Sequence, residues 1–231
     1  PGTAYKASRR RTMRKVVAVM AIWFVLVSSA ILIICLPSAR EESAGEAEPE
    51  GESTDRELTD LSTLHDNSIK GPQKIDMSSY RLKVFGNVRQ EIEYTYEDVV
   101  SRGGLERYSV LYCVEGWDAA VVWEGTRIMG LVLPSGPEDD SKVLVFHSAD
   151  GYTTSLPLDE IAAKEMLIAY GANGKTLPVN VGYPFIVVAQ DKLGYKWARW
   201  VIGIEVSKEE GYLGYWERRG YPNDADVEDW K

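Results

Sequence analysis

The stretch Val110-Leu111-Tyr112-Cys113-Val114-Glu115-Gly116-Trp117, followed by Val122-Trp123-Glu124-Gly125, holds the side chain in this protein best suited to chemistry. Only two cysteines occur, and Cys35 lies inside a long apolar run, so Cys113 is the one thiol in the part of the chain able to fold in water. It ends an apolar, β-favouring run and precedes a glycine and two tryptophans. A thiolate in such a place is a soft ligand for a metal centre. A lone thiol is also among the most often buried side chains, packed as a small inert hydrophobe. These residues alone leave both readings open.

Other chemistries fit poorly. His65 and His147 are the only histidines, too few for a His-rich zinc site, an H-E-x-x-H helix or a histidine-based nucleophile triad. Gly171-Ala172-Asn173-Gly174-Lys175-Thr176 contains a Gly-Lys-Thr, but its first glycine stands too close for a phosphate loop and Pro178 follows. It reads as a surface turn. No pair of carboxylates stands out from the acidic background. A net charge of -9, with no basic stripe in the folding part, argues against a nucleic-acid partner.

The segments that must carry and position Cys113 differ sharply in composition. Residues 1–15 hold Lys6, Arg9, Arg10, Arg11, Arg14 and Lys15 and no acid, as a basic cytoplasmic N-terminus would. Residues 16–36 carry no charge, and at about 1.5 Å per residue they span roughly 30 Å, the thickness of a bilayer's hydrocarbon core. They are expected to form a transmembrane anchor in membrane lipid. The basic flank places the N-terminus inside and the remainder on the extracytoplasmic face of the cell membrane. Ser8-Arg9-Arg10-Arg11-Thr12-Met13-Arg14 reads either as a twin-arginine export signal or as a plain orientation cluster. Residues 37–79, rich in Glu, Asp, Ser and Gly and without hydrophobic period, read as an acidic disordered tether.

Residues 80–231 then form the folded domain. Residues 80–86 alternate as a half-buried strand does. Thr95 and Asp98 stand at capping-box spacing for a short helix over 95–100. Strands are expected over 109–114, 142–147, 185–189, 197–200 and 202–206. A short helix fits 127–132, ended by Pro134-Ser135-Gly136-Pro137, and a longer one fits 158–169, led by Asp159 and Glu160. No βαβ rhythm runs through these elements. The class is therefore α+β, mixed and strand-dominated, with short helices at the rim.

The order of motifs adds a resemblance. Cys113-Val114-Glu115-Gly116-Trp117 and Trp123-Glu124-Gly125 are followed by Ser148-Ala149-Asp150-Gly151-Tyr152-Thr153-Thr154-Ser155-Leu156-Pro157. Next come Leu167-Ile168-Ala169-Tyr170-Gly171-Ala172-Asn173-Gly174-Lys175-Thr176-Leu177-Pro178, Gly182-Tyr183-Pro184 and Gly194-Tyr195-Lys196-Trp197-Ala198-Arg199-Trp200. Gly214-Tyr215-Trp216-Glu217-Arg218-Arg219-Gly220-Tyr221 closes the series. Over residues 80–221 the chain resembles the molybdopterin-binding domain of the sulfite oxidase superfamily, most of all the catalytic subunit of periplasmic methionine-sulfoxide reductase.

The resemblance implies a molybdenum-pyranopterin cofactor and oxygen-atom transfer. By position it makes Cys113 the metal ligand and Tyr152 a second catalytic residue near the reacting oxygen. Lys196, Arg199 and Trp117 become cofactor-binding residues. It also implies a membrane cytochrome or a quinone-linked donor as electron partner, or a place in a larger membrane complex. Two departures are plain, and a further gap lies before residue 80, where catalytic members supply arginine or asparagine contacts and Asn67-Ser68-Ile69-Lys70 is a weak match. The family's His-Gly-x-Pro-x-Arg run, whose histidine and arginine hold the pterin phosphate, reads here Val181-Gly182-Tyr183-Pro184-Phe185-Ile186. Basic residues suited to sulfite are absent, and Asp118 stands five residues past the cysteine. Two functions follow: an oxidoreductase for a neutral substrate such as a sulfoxide, or a cofactor-free descendant serving as an accessory subunit of a membrane complex.

Overall fold

The computed structural model describes residues 56–230. The expected cytoplasmic segment 1–15 and the membrane anchor 16–36 lie outside these residues. Among the described residues no helix is long and apolar enough to cross a membrane.

In chain order the elements are β1 (Leu82–Gly86), β2 (Ile92–Tyr94), α1 (Tyr96–Val100), β3 (Leu105–Tyr112) and β4 (Asp118–Arg127). Next come α2 (Ile128–Val132), β5 (Val143–Ser148), β6 (Thr153–Pro157), α3 (Leu158–Ala163), β7 (Leu167–Ala172), β8 (Lys175–Thr176), β9 (Ile186–Val188) and β10 (Val201–Ser207). One sheet runs β2-β1-β10-β5-β6, with β1 and β10 parallel and the other pairs antiparallel. The second runs β3-β4-β7-β8, and β9 joins it beside β7. Strand residues pack inward from both sheets into one apolar cluster that includes Leu82, Val84, Trp123, Phe146, Ile168 and Val187, each 0% exposed. This is the expected α+β, strand-dominated class.

Local chemistry explains the edges of these elements. Thr95 caps α1 as its spacing predicts: its hydroxyl accepts from the Asp98 N–H, and the Asp98 carboxylate accepts from the Thr95 N–H. The helix predicted over 158–169 stops at Ala163. Glu165 takes a left-handed φ of 48°, which no helix continues through, and the fully buried segment after it pairs with β4 and β9. The strand expected over 197–200 is not formed. Residues Gly194–Lys196 make a 3-10 turn, and Trp200 has a φ of 49°, so the chain coils here before entering β10. Both turns set the direction of charged side chains near the cavity.

The domain also begins earlier than its composition predicts. Residues 56–79, assigned by sequence to the disordered tether, lie against the fold. The Thr59 N–H bonds the Ala120 carbonyl at 2.9 Å, the Thr59 hydroxyl accepts from the Ala120 N–H at 3.0 Å, and Asn173 holds the Thr59 carbonyl at 3.0 Å. Thr59 in effect extends the edge of β4. Leu61, in a short 3-10 turn capped by Asp60, and Leu64 are both buried in the main core. Two anchoring leucines are too few to produce a hydrophobic period, so the packing left no sequence signature. Leu61→Ala is expected to cost about 2 kcal/mol of stability, read as a lower denaturation midpoint at unchanged slope. An unchanged midpoint would show that this strap contributes nothing to the core.

Candidate functional site

Strand β3 ends one residue before Cys113. The turn to β4 is closed by the Cys113 N–H on the Trp117 carbonyl at 2.9 Å and the Gly116 N–H on the Cys113 carbonyl at 3.0 Å. Gly116 has a φ of 88°, which a residue with a side chain takes at a cost. This turn lifts the Cys113 thiol out of the β3–β4 ladder and into a cavity of about 460 Å³. The volume lies within the usual range for a small-molecule or cofactor site.

The strap supplies one wall. Asn67 donates from Nδ2 to Cys113 Sγ at 3.6 Å and to Glu115 Oε2 at 3.0 Å. Trp117 donates from Nε1 to the same carboxylate oxygen at 3.4 Å. The His65 ring stacks on Trp117 with centroids 5.4 Å apart and planes 24° from parallel. Sequence analysis had left His65 and Asn67 in a tether. Only the weak motif match at Asn67-Ser68-Ile69-Lys70 marks either, because their place depends on Thr59, Leu61 and Leu64 docking far along the chain.

The first sheet supplies the floor. The Asp150 carboxylate accepts the Tyr152 N–H at 2.9 Å and shapes the β5–β6 turn. Tyr152 donates its O–H to the Tyr195 carbonyl, and burial, reinforced by the charge of Glu217, pushes its phenol well above the usual range. It is therefore a protonated group that borders the cavity. Burial also raises the Cys113 thiol, against the pull of the Glu115 N–H and the positive Arg199. A bound metal reverses that direction, because a coordinated thiol gives up its proton.

Arg199 lies on the same cavity. Its guanidinium reaches only two backbone carbonyls, of Asn180 at 3.2 Å and His65 at 3.4 Å, and it forms no salt bridge among the described residues. Desolvation lowers its pKa. Two further cavity residues, Ser68 and Ser148, have buried hydroxyls with no hydrogen-bond partner. A cation without a salt bridge, felt only electrostatically by Asp66, and two idle hydroxyls are the partners that an anionic group would satisfy.

Lys196 goes the other way. It does not border the cavity; its ammonium is fully buried and donates to Glu217 Oε1 at 2.6 Å, Asn223 Oδ1 at 2.9 Å and the Ser155 carbonyl at 3.1 Å. All three donors are used, which leaves none for a cofactor. Val181 and Ile186, at the positions of the family's phosphate-holding histidine and arginine, are buried in the core. Gly182 between them lies so close to Arg199 that an added Cβ would stand 3.2 Å from the arginine Cβ. The structure thus gathers Cys113, Trp117, Tyr152 and Arg199 on one cavity and excludes Lys196.

These residues fit a molybdenum-pyranopterin group. The cavity offers a soft sulfur, a desolvated cation and unpartnered hydroxyls together, which suits a soft metal carried on an anionic organic ligand.

Comparison with known proteins agrees with that fit. The oxidoreductase molybdopterin binding domain matches residues 69–216. The uncharacterized oxidoreductase YuiH of Bacillus subtilis is 33% identical over 164 residues, covering 71% of this chain and 81% of that protein. The protein of Azospira oryzae named "putative protein-methionine-sulfoxide reductase subunit YedZ1" is 29% identical over 149 residues, covering 64% of this chain and 56% of that protein. The sulfane dehydrogenase SoxCD from Paracoccus pantotrophus shares the fold, with a TM-score of 0.57 and 20% identity over 60% of this chain and 40% of that one. The chain belongs to the oxidoreductase molybdopterin-binding domain family of the sulfite oxidase type, and is a molybdopterin-dependent oxidoreductase.

Proposed function

We propose that this protein is a membrane-anchored reductase that removes an oxygen atom from a neutral organic oxide such as a sulfoxide. The observation that carries the reading is the Cys113 thiol opening onto a cavity that also holds Arg199, free of any salt bridge among the described residues. The net reaction balances as sulfoxide plus two electrons and two protons giving sulfide and water. A cytochrome or a quinol in the membrane supplies the electrons.

When bound, the molybdenum-pyranopterin group supplies two-electron oxygen-atom exchange. The chain's own residues do the rest. Cys113, as thiolate, holds the metal, and Asn67 orients its sulfur by donating from the side. Arg199, with the Ser68 and Ser148 hydroxyls, receives the cofactor's negative charge in place of the absent histidine and arginine. Trp117, stacked on His65, covers the turn and keeps water from the sulfur. Tyr152 keeps its proton and borders the cavity as a fixed O–H. The similarity to YedZ1, named as a reductase subunit, supports a sulfoxide substrate and a place in a larger assembly. The charge-free run at 16–36 supports the anchor.

Metal analysis of the natively expressed protein tests this. About one molybdenum or tungsten per chain is expected. A clean absence would sink the proposal and favour the cofactor-free accessory subunit.

A further inference from the structure

We propose that residues 65–74 form a lid whose closure over the cavity is coupled to the group bound there, with Gly71 as its hinge. The coupling rests on the proposed reading that the cavity holds the molybdenum-pyranopterin group, and it adds how that group is admitted and kept.

The segment is fastened at both ends and loose between them. Upstream, Leu61 and Leu64 are buried in the main core. Downstream, Ile75 and Met77 pack against that core, and the buried Tyr80 donates its O–H to the Val201 carbonyl at 2.6 Å. Residues 65–74 belong to no helix or strand, and among the described residues no backbone–backbone hydrogen bond ties them to the fold. The bonds within the segment are local. Asp66 Oδ1 accepts the Ser68 N–H at 3.1 Å, and Gln73 donates to the Gly71 carbonyl at 2.7 Å. A stretch held in this way opens at a small free-energy cost while the core stays closed. Gly71 has a φ of 78°, and the place a Cβ would take has no heavy atom within 4 Å. Glycine therefore serves here for backbone freedom and not for space, as a hinge requires.

What holds the lid shut faces the cavity, which His65, Asn67 and Ser68 all line. Its ties to the rest of the wall are few. They are the His65 stack on Trp117, the Asn67 amide on Glu115 at 3.0 Å and on Cys113 Sγ at 3.6 Å, and Arg199 on the His65 carbonyl at 3.4 Å. The Ser68 hydroxyl is buried without a partner. Two of these groups gain when an anionic group bound through its metal fills the cavity. A metal-held thiolate accepts the Asn67 N–H more strongly than a thiol does, and an anionic oxygen gives the Ser68 hydroxyl its acceptor. Binding thus favours closure, and closure strengthens binding by the same factor.

Lys70 and Lys74 are exposed and lie within the lid, so trypsin reports its opening. The full-length protein is compared in two forms, natively expressed with its metal and produced in a host unable to make the pterin. Cleavage after these two lysines is expected to be at least about tenfold slower in the loaded form. Gly71→Ala penalises the closed backbone without adding a clash, and is expected to speed both the cleavage and the loss of molybdenum on dialysis roughly tenfold. Gly103→Ala, at a φ of 98° with equally open surroundings but outside the lid, is the control and should change neither. Ser68→Ala should narrow the difference between the loaded and the pterin-free forms. Equal cleavage of the two forms, with metal measured in the first, overturns the lid and leaves the oxygen-transfer reading standing. A Gly71→Ala protein that behaves as Gly103→Ala does overturns the hinge. A natively expressed protein that carries no metal overturns both the lid and the reading beneath it.

Discussion

Replacing Cys113 with serine is expected to strip the protein of molybdenum and abolish reductase activity while leaving its denaturation midpoint nearly unchanged. The hydroxyl that replaces the thiol is hard and stays protonated at neutral pH, so it cannot serve as a soft anionic ligand. Loss of an outer partner of a metal ligand lowers affinity or activity by roughly 10–100-fold, and loss of the ligand itself must exceed that. Asn67→Ala, which removes only the N–H donated to the sulfur, is the matched control and belongs within that smaller range. Stability should hold because Cys113 sits half-buried on a turn fixed by backbone bonds, with no tight side-chain partner. Metal content by mass spectrometry, read beside a denaturation curve, separates the two effects. A serine variant that keeps its metal would remove Cys113 from the metal site.

The largest structural effect is expected from Lys196→Met. The Lys196–Glu217 pair has both side chains 0% exposed, and Glu217 Oε1 also accepts the Thr154 hydroxyl at 2.7 Å. Removing the ammonium leaves a buried carboxylate held only by that hydroxyl, with Oε2 already unpartnered. Breaking a buried pair from one side costs about 3–5 kcal/mol, a large part of the stability of an ordinary domain. The double change Lys196→Met with Glu217→Leu should recover much of the loss, since the desolvation penalty then disappears from both partners. Urea denaturation of the three proteins checks this. A single variant as stable as the parent would mean that the pair is not buried as described. The pair also fastens the segment bearing Trp216 and Tyr221 to β6, so the cavity wall should loosen with it.

Features set by short-range geometry were legible in the sequence. The Thr95–Asp98 box, the strands flanking Cys113 and the β-rich order each follow from spacing over a few residues. Cys113, Trp117, Tyr152 and Arg199 were found through motif order and do share one cavity. Asn67 was legible only as a weak motif match, and His65 and Ser148 were missed, for different reasons. The first two sit in an acidic stretch that orders only because Leu61 and Leu64 find the core. Ser148 is an ordinary strand residue until its hydroxyl is seen to lack a partner.

Lys196 and Arg199 show where the division falls. The sequence by itself determined that a Gly-Tyr-Lys-Trp-Ala-Arg-Trp segment places two cations three residues apart, and that the chain has an α+β core around one usable thiol. Only the tertiary structure decided their fates. The 3-10 turn Gly194–Lys196 sends the lysine down to a buried glutamate from a distant segment, and the coil after it turns the arginine towards the cavity. Composition and spacing fix which charges are present. Where a charge points depends on backbone dihedrals at a turn and on partners brought together from far along the chain.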